Sequence, residues 1–502
     1  MNGSAAPCPH PFNMAAHVLG RAADRPDKTA LAVLGADGAE TWSYARLSGA
    51  VRGIATGLLR QGLTAGERVL MRLDNTPEFP LTYLACIAVG LVPVPTSAQL
   101  TAPEVTAISA DIRPRLIVAS PGVALPRDDA PVLEAAALAG FHDLPPADFA
   151  FGDPNRPAYI IYTSGTSGRP RAVVHAHRAI WARRMMWDGW YGLTPDDRLL
   201  HAGAFNWTYT LGTGLMDPWA VGATALIPAP GTPPAALPGL LAAHGATIFA
   251  AAPGVYRQML RAALPPLPAL RHGLSAGEKL PETLRAAWQA ATGTAVHEAY
   301  GMSECSTFIS GSPAAPAPPG TLGRPQPGRR VALIGLDGPV PKDETGTIAV
   351  HCSDPGLMLG YLDQPDETAA RFQGDWFLTG DLGRADASGA ITYMGRADDM
   401  MNAGGYRVSP VEVEEALAHF PGLAEVAAVE LRVKAETTVI AAFYTAADLL
   451  DEDALHRFAA ARLARYKCPR LYIHVPGLPR GANNKLLRRK LRQDWEAAHG
   501  HA

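Results

Sequence analysis

Residues 158–177 read AYIIYTSGTSGRPRAVVHAH. The opening AYIIY is an apolar run and predicts a buried strand. From Thr163 to Gly168 the composition switches to Thr, Ser and Gly, and Arg169 and Arg171 add positive charge. Hydroxyls and glycines together are turn chemistry in any protein. A strand that ends in such a loop, with cations beside it, suits a phosphate cradle. The segment is not a P-loop, because Gly168 is followed by Arg-Pro-Arg instead of Lys-Ser or Lys-Thr. Taken alone, it leaves a plain surface turn equally open.

The same alternation of apolar runs and Ala/Leu/Arg-rich stretches extends through most of the chain. RPRLIVAS from Arg113, ATALIPAP from Ala223 and ATIFAAAP from Ala246 read as strands between helices. This predicts an α/β fold with layered, largely parallel sheets. The 502 residues are too many for one core. After the Pro/Gly-rich loop that begins at Gly311 come the short runs RVALIG, GTIAVHC and AITYMG, which predict a small β-rich unit over about 320–395. Polar and glycine residues then crowd into GRADDMMNAGGYRVSP, residues 395–410. Ser409 with Glu412 forms a capping-box pattern, with Pro410 at the first helical position and a helix running to Phe420. The boundary predicts a large domain over 1–397 and a small α+β domain over 398–502.

Composition excludes several function classes. The net charge of −3 gives no case for nucleic acid or an anionic membrane. The most apolar stretch, from Leu81, is broken by Pro93 and Pro95 and does not span a bilayer. The N-terminus has no basic region followed by an apolar core, so a cytoplasmic protein is expected. Five scattered cysteines without a CxxC pair predict neither a disulfide framework nor a zinc site. His175 and His177 lack nearby acidic or thiol partners and read as structural or phosphate-adjacent rather than metal-binding. The tail carries a run of Arg and Lys, including Lys485 and Lys490, which reads as a solvated helix face or as a site for a ligand with several phosphates.

Six stretches decide between these readings: YTSGTSGRPRAV, SAGEKL, AYGMSE, GDWFLTGDLG, GRADDMMNAGGYRVSP and NNKLLRRKLR, in that order. Together they resemble the core motifs of the adenylate-forming superfamily, which comprises acyl- and aryl-CoA ligases, luciferases and peptide-synthetase adenylation domains. The resemblance covers nearly the whole chain. It implies a reaction in which a carboxylate attacks the α-phosphorus of ATP, pyrophosphate leaves, and the acyl-adenylate passes its acyl group to a thiol. It implies ATP, Mg²⁺ and coenzyme A as the reaction's companions, with a carrier protein as the alternative acceptor, and a monomer or homodimer.

The resemblance also implies roles for residues. Thr163, Ser164, Gly165, Thr166, Ser167, Gly168 and Arg171 would wrap the ATP phosphates, with Arg171 standing where the family usually has Lys. Ser303 would meet the α-phosphate and Glu304 would hold Mg²⁺. Ser275, Ala276, Gly277 and Tyr300 would line the adenine, and Asp381 with Arg396 would take the ribose. Lys485 would be the catalytic cation of the adenylation step. Asp398 would be a hinge that exchanges Lys485 for the loop at Gly404 and Gly405, past which the CoA thiol enters.

FNWTYTLGTGLMDPWAVGATALI from Phe205, with SAGEKL, resembles the benzoate-CoA ligase group. It implies an acid pocket walled by Trp207 or Tyr209, with Gly301 and Met302 beside it. No Asp or Glu occurs from His201 to Met216. A buried substrate ammonium would lack a counter-charge there, so an amino acid is disfavoured. An apolar pocket for a small aromatic, alicyclic or short-to-medium aliphatic acid is expected.

Overall fold

The structure is a computed structural model that describes residues 6–35, 38–163, 170–403, 406–434, 437–481 and 486–499. It is a mixed α/β molecule built on a nine-stranded sheet. Six neighbouring strands of that sheet are parallel: Val296–Met302, His272–Ala276, Ile248–Ala251, Arg198–Ala202, Thr224–Pro228 and Thr29–Gly35. Antiparallel strands close both edges, with Ser306–Ser310 next to Val296–Met302 and Gly38–Ser43 next to Thr29–Gly35. The apolar runs read from sequence are among these strands. Ile248–Ala251 is buried at every position, as expected of a parallel strand covered on both faces.

A second, all-parallel sheet orders Val92–Pro95, Arg68–Arg72, Leu116–Ala119 and Val132–Glu134. Pro157–Thr163 and Arg171–Ala176 form an antiparallel pair, extended by Gly360–Tyr361. An antiparallel sheet between Val331 and Arg396 includes the long strand Trp376–Ala385 paired with Ile391–Arg396. The C-terminal part places Leu423–Lys434, Thr437–Ala446 and Leu471–His474 in one sheet, with the helices Pro410–Leu417, Glu452–Ala460 and Arg488–His499.

Two local expectations change. The Ser409 hydroxyl does accept from the Glu412 N–H at 3.4 Å, but the Glu412 carboxylate turns to Lys467 at 2.5 Å instead of reaching back to the cap. A charge-assisted bond to an ammonium is stronger than one to a neutral N–H. The helix stops at Leu417, not Phe420. Pro421 disfavours helical geometry in the residue before it, and Gly422 follows at φ 84°.

Among the described residues no helix is long and apolar enough to cross a membrane, and no group of three or more His, Cys, Asp or Glu could hold a metal. All five cysteines are free.

Candidate active site

In open α/β sheets, ligands sit beyond the carboxyl ends of parallel strands. Three parallel strands of the large sheet deliver the sequence-predicted residues there. Arg198–Ala202 leads into Phe205–Tyr209, His272–Ala276 ends at Gly277, and Val296–Met302 ends at Ser303 and Glu304. Ser275 pairs with Glu298 and Ala276 with Ala299, so Gly277 lies beside Tyr300 at the sheet edge.

Gly277 adopts φ 94°, and a Cβ there would stand 2.5 Å from the Trp207 ring. Glycine is therefore needed both for its backbone and for the indole packed against it. Trp207 is half-buried. Tyr209 is a buried pillar instead: its hydroxyl donates to the Leu274 carbonyl at 3.1 Å, and its ring meets Trp207 edge-on at 5.2 Å. Gly301 has no space for a side chain, because a Cβ would collide with the Ser306 carbonyl and the Thr307 Cα across the hairpin. Met302 is half-buried at the strand end. Ser275 is fully buried, and its hydroxyl has no hydrogen-bond partner.

A second group gathers around the strand pair that holds the opening motif. Thr163 and Arg171 are register partners at the strand ends. Ser164, Gly165, Thr166, Ser167 and Gly168 between them lie outside the described residues, as do Gly404, Gly405 and Lys485. Arg171 pairs with Glu367 at 2.8 Å and lies 5.2 Å from the Tyr361 ring centre. The Tyr361 hydroxyl donates to Glu304 Oε1 at 2.8 Å. A buried carboxylate and a guanidinium thus flank one tyrosine. The set fits a Mg²⁺–phosphate group, since that cation is commonly held by one or two carboxylates plus phosphates and waters.

Asp381 and Arg396 face each other across neighbouring strands. Arg396 Nε lies 3.4 Å from Asp381 Oδ1, and the Tyr300 hydroxyl donates to Asp381 Oδ2 at 2.5 Å. Three of the six residues expected around adenine and ribose therefore form one cluster. Asp398 follows on the chain, with its side chain 64% exposed and 3.8 Å from Arg396.

His175 Nε2 pairs with the Ser303 carbonyl at 2.7 Å, and its ring stacks on Tyr159. Burial pushes its pKa down to about 4. Ser303 is thus held from behind by a neutral imidazole. His177 accepts the Met14 N–H at 3.0 Å. Both histidines make structural contacts, which is one of the two readings the sequence left open. Lys490 pairs with Asp494 on an exposed helix face.

The basic tail meets the body next to Gly277. Arg480 lies 3.8 Å from Glu278 and 2.7 Å from Glu425, and Lys279 pairs with Glu415. Arg480 also forms a strand-like bridge with Leu486.

Sequence reasoning missed one group entirely. Arg183 and Asp217, both buried, form an ion pair at 2.6 Å, and Arg183 lines a small cavity with Thr208 and Ser303. Burial by itself would lower the Arg183 pKa, but the carboxylate beside it more than offsets this and raises it. The stretch without acid, His201 to Met216, stops one residue short of Asp217, and Arg183 gives this cavity a charged wall.

Comparison with known proteins agrees with this geometry. The family model of AMP-binding enzymes matches residues 19–362, and the model of the AMP-binding enzyme C-terminal domain matches 412–485. The chain belongs to the AMP-binding enzyme family. Among relatives of this AMP-binding enzyme, the benzoate–CoA ligase of Thauera aromatica is 33% identical over 521 residues, covering 96% of both chains. The 3-hydroxybenzoate–CoA ligase of Aromatoleum sp. (strain CIB) is 31% identical over 487 residues, covering 91% of this chain and 92% of that protein. A crystal structure of an anthranilate CoA ligase in complex with anthranoyl-AMP superimposes with a TM-score of 0.88 at 26% identity, over 98% of this chain and 99% of the other.

Proposed function

We propose that this AMP-forming acid:CoA ligase activates a small aromatic acid, or an alicyclic or short aliphatic acid of similar size, as its adenylate and then transfers it to CoA. The observation that carries the reading is the meeting of Gly277, Tyr300, Ser303 and Glu304 at adjacent strand ends, with Asp381 and Arg396 joined to Tyr300. ATP would lie across that edge. The Asp381 carboxylate would accept from the ribose hydroxyls, with Arg396 beside it, and Tyr300, Ser275, Ala276 and Gly277 would border the base. Thr163, Ser164, Gly165, Thr166, Ser167, Gly168 and Arg171 would surround the phosphates, and Glu304 would hold Mg²⁺ between them. That ion supplies charge neutralisation on the phosphates.

Ser303, fixed by His175, would donate to the α-phosphate where the acid's carboxylate arrives. Lys485 would place its ammonium against the charge that builds there. The bridge between Arg480 and Leu486, and the Arg480–Glu278 ion pair, support delivery of this segment to the site. Residues 398–502 would form a unit that turns at Asp398, bringing Gly404 and Gly405 past the adenylate for thioester formation. Trp207, Gly301 and Met302 would border the acid, with Tyr209 as the pillar behind Trp207.

Aromatic acids come first because the two curated relatives above carry names of benzoate-type CoA ligases. The test is pyrophosphate release across a panel of carboxylic acids, with and without CoA. Acid-dependent pyrophosphate release and a thioester product on adding CoA are expected. Pyrophosphate release without any thioester would move the acceptor to a carrier protein.

A further inference from the structure

The Arg183–Asp217 pair is a buried charge cluster near the candidate site that the reaction above does not use. Arg183 comes from the helix Ala179–Met186, and Asp217 opens the helix Asp217–Val221. Their side chains are 8% and 1% exposed. Arg183 Nε lies 3.0 Å and Nη2 2.6 Å from Asp217 Oδ2. The Tyr191 hydroxyl donates to the same oxygen at 2.8 Å, and Thr213 lies 3.2 Å from Nη2. Nη1 points the other way and donates to the Ser306 hydroxyl at 2.5 Å. Gly212 packs flat on the guanidinium, where a Cβ would collide with Arg183 Cζ.

Stability does not explain this arrangement. An apolar pair of similar volume in place of a buried ion pair is often neutral or stabilising. What distinguishes the cluster is its position. Arg183 and Ser306 line one cavity together with Ser303, Thr208 and His175, and Leu211 and Met216 are among its apolar lining. The space suits a group about the size of a water molecule. It has no room for a whole acid.

The charges fix what that group can be. Asp217 cancels the charge of Arg183, so an anionic group would lose its hydration with no net counter-charge, and an ammonium would face the guanidinium. A neutral oxygen meets neither penalty. Nη1 carries two N–H groups, of which Ser306 takes one, and the Ser306 hydroxyl retains its own proton to donate.

We propose that Arg183 Nη1 and Ser306 form a specificity subsite for an uncharged oxygen, hydroxyl or carbonyl, on the end of the acid remote from its carboxyl group. The subsite favours hydroxy- or oxo-substituted small acids over their unsubstituted counterparts, because an analogue without the oxygen leaves buried donors unpaired. The inference rests on the preceding reading, in which the carboxyl end lies at Ser303.

The test uses the full-length enzyme and matched acids: benzoate against 3-hydroxybenzoate and 4-hydroxybenzoate, and cyclohexanecarboxylate against 3-oxocyclohexanecarboxylate. Pyrophosphate release gives kcat/KM, and calorimetry gives acid affinity without turnover. The oxygen-bearing member of at least one pair is expected to lead by about tenfold or more in both. Ser306→Ala, and the double change Arg183→Met with Asp217→Leu that removes both charges together, should bring that ratio to within about threefold of one. Ser306→Ala keeps the comparison open if the double variant does not fold. Equal or better use of every unsubstituted acid, or an undiminished preference in Ser306→Ala, overturns the subsite and leaves the ligase reading in place. Absence of pyrophosphate release with any acid overturns the ligase reading, and the subsite with it.

Discussion

Gly301 shows how narrowly single residues are fixed at this strand end. A methyl group there meets the backbone of Ser306 and Thr307, which cannot rotate away as a flexible side chain would. Gly301→Ala is expected to cost about 3 kcal/mol of stability, read by urea unfolding, because the hairpin carrying Ser303 and Glu304 must shift. A variant as stable as the parent would show that the hairpin yields freely. Glu304 makes a different prediction. Its carboxylate accepts a hydrogen bond from Tyr361, whose ring lies 5.2 Å from the Arg171 guanidinium. Glu304→Gln keeps shape and an acceptor oxygen but loses the charge. Acid-dependent pyrophosphate release should fall about 100-fold or more while the melting temperature holds. Parity in activity would remove Glu304 from the metal role. These residues were legible as motifs because each lies in a short run with its neighbours in the chain. Arg183 and Asp217 were not. They are 34 residues apart, sit on separate helices and carry no local pattern; only their burial in one pair gives them meaning.

At the level of elements, the strand Arg171–Ala176 and the turn after it tie the opening motif to the chain's N-terminal helix. His177 is the link. It is fully buried and accepts the Met14 N–H, so its ring must be neutral. Burial first, and Arg156 second, lower its pKa from 6.5 to about 3. The unfolded chain binds a proton at that site near pH 6.5 and the folded chain does not. Between those two values the unfolded state holds more protons, so stability is full above pH 6.5 and falls as pH drops. One such group contributes a slope of about 1.4 kcal/mol per pH unit. His177→Gln, whose amide oxygen offers Met14 an acceptor, should flatten the dependence of unfolding free energy on pH between 6 and 4 by about that slope. An unchanged slope would mean that the imidazole is already protonated in the fold. The strands themselves were readable as apolar runs, because fully buried parallel strands carry no polar face to obscure them. Cap details were less readable. The Ser409 pattern predicted a reciprocal box, but Lys467, 55 residues away, competes for Glu412.

Across the whole molecule, the charges that join the tail to the body cluster beside the candidate nucleotide edge. Glu425 takes both Arg257 from the body and Arg480 from the tail, at 2.9 and 2.7 Å, and Arg480 also approaches Glu278, the neighbour of Gly277. Ion pairs that keep partial contact with solvent, as these do, are individually weak, so a contact built from several of them can hold one arrangement and still release it. That is the property a two-step ligase needs if one segment serves adenylation and must then leave. Lys485 lies between Arg480 and Leu486, the two ends of the bridge. If it supplies the adenylation cation, Lys485→Ala should separate the two half-reactions. Acid-dependent pyrophosphate release should drop about 100-fold or more, because the developing negative charge loses its partner. Thioester formation from supplied acyl-adenylate and CoA should change by less than about threefold, since that step begins after the charge has dispersed. Equal loss in both half-reactions would indicate damage to the fold or to the shared acid site, and an intact first half-reaction would assign the cation's work to another residue.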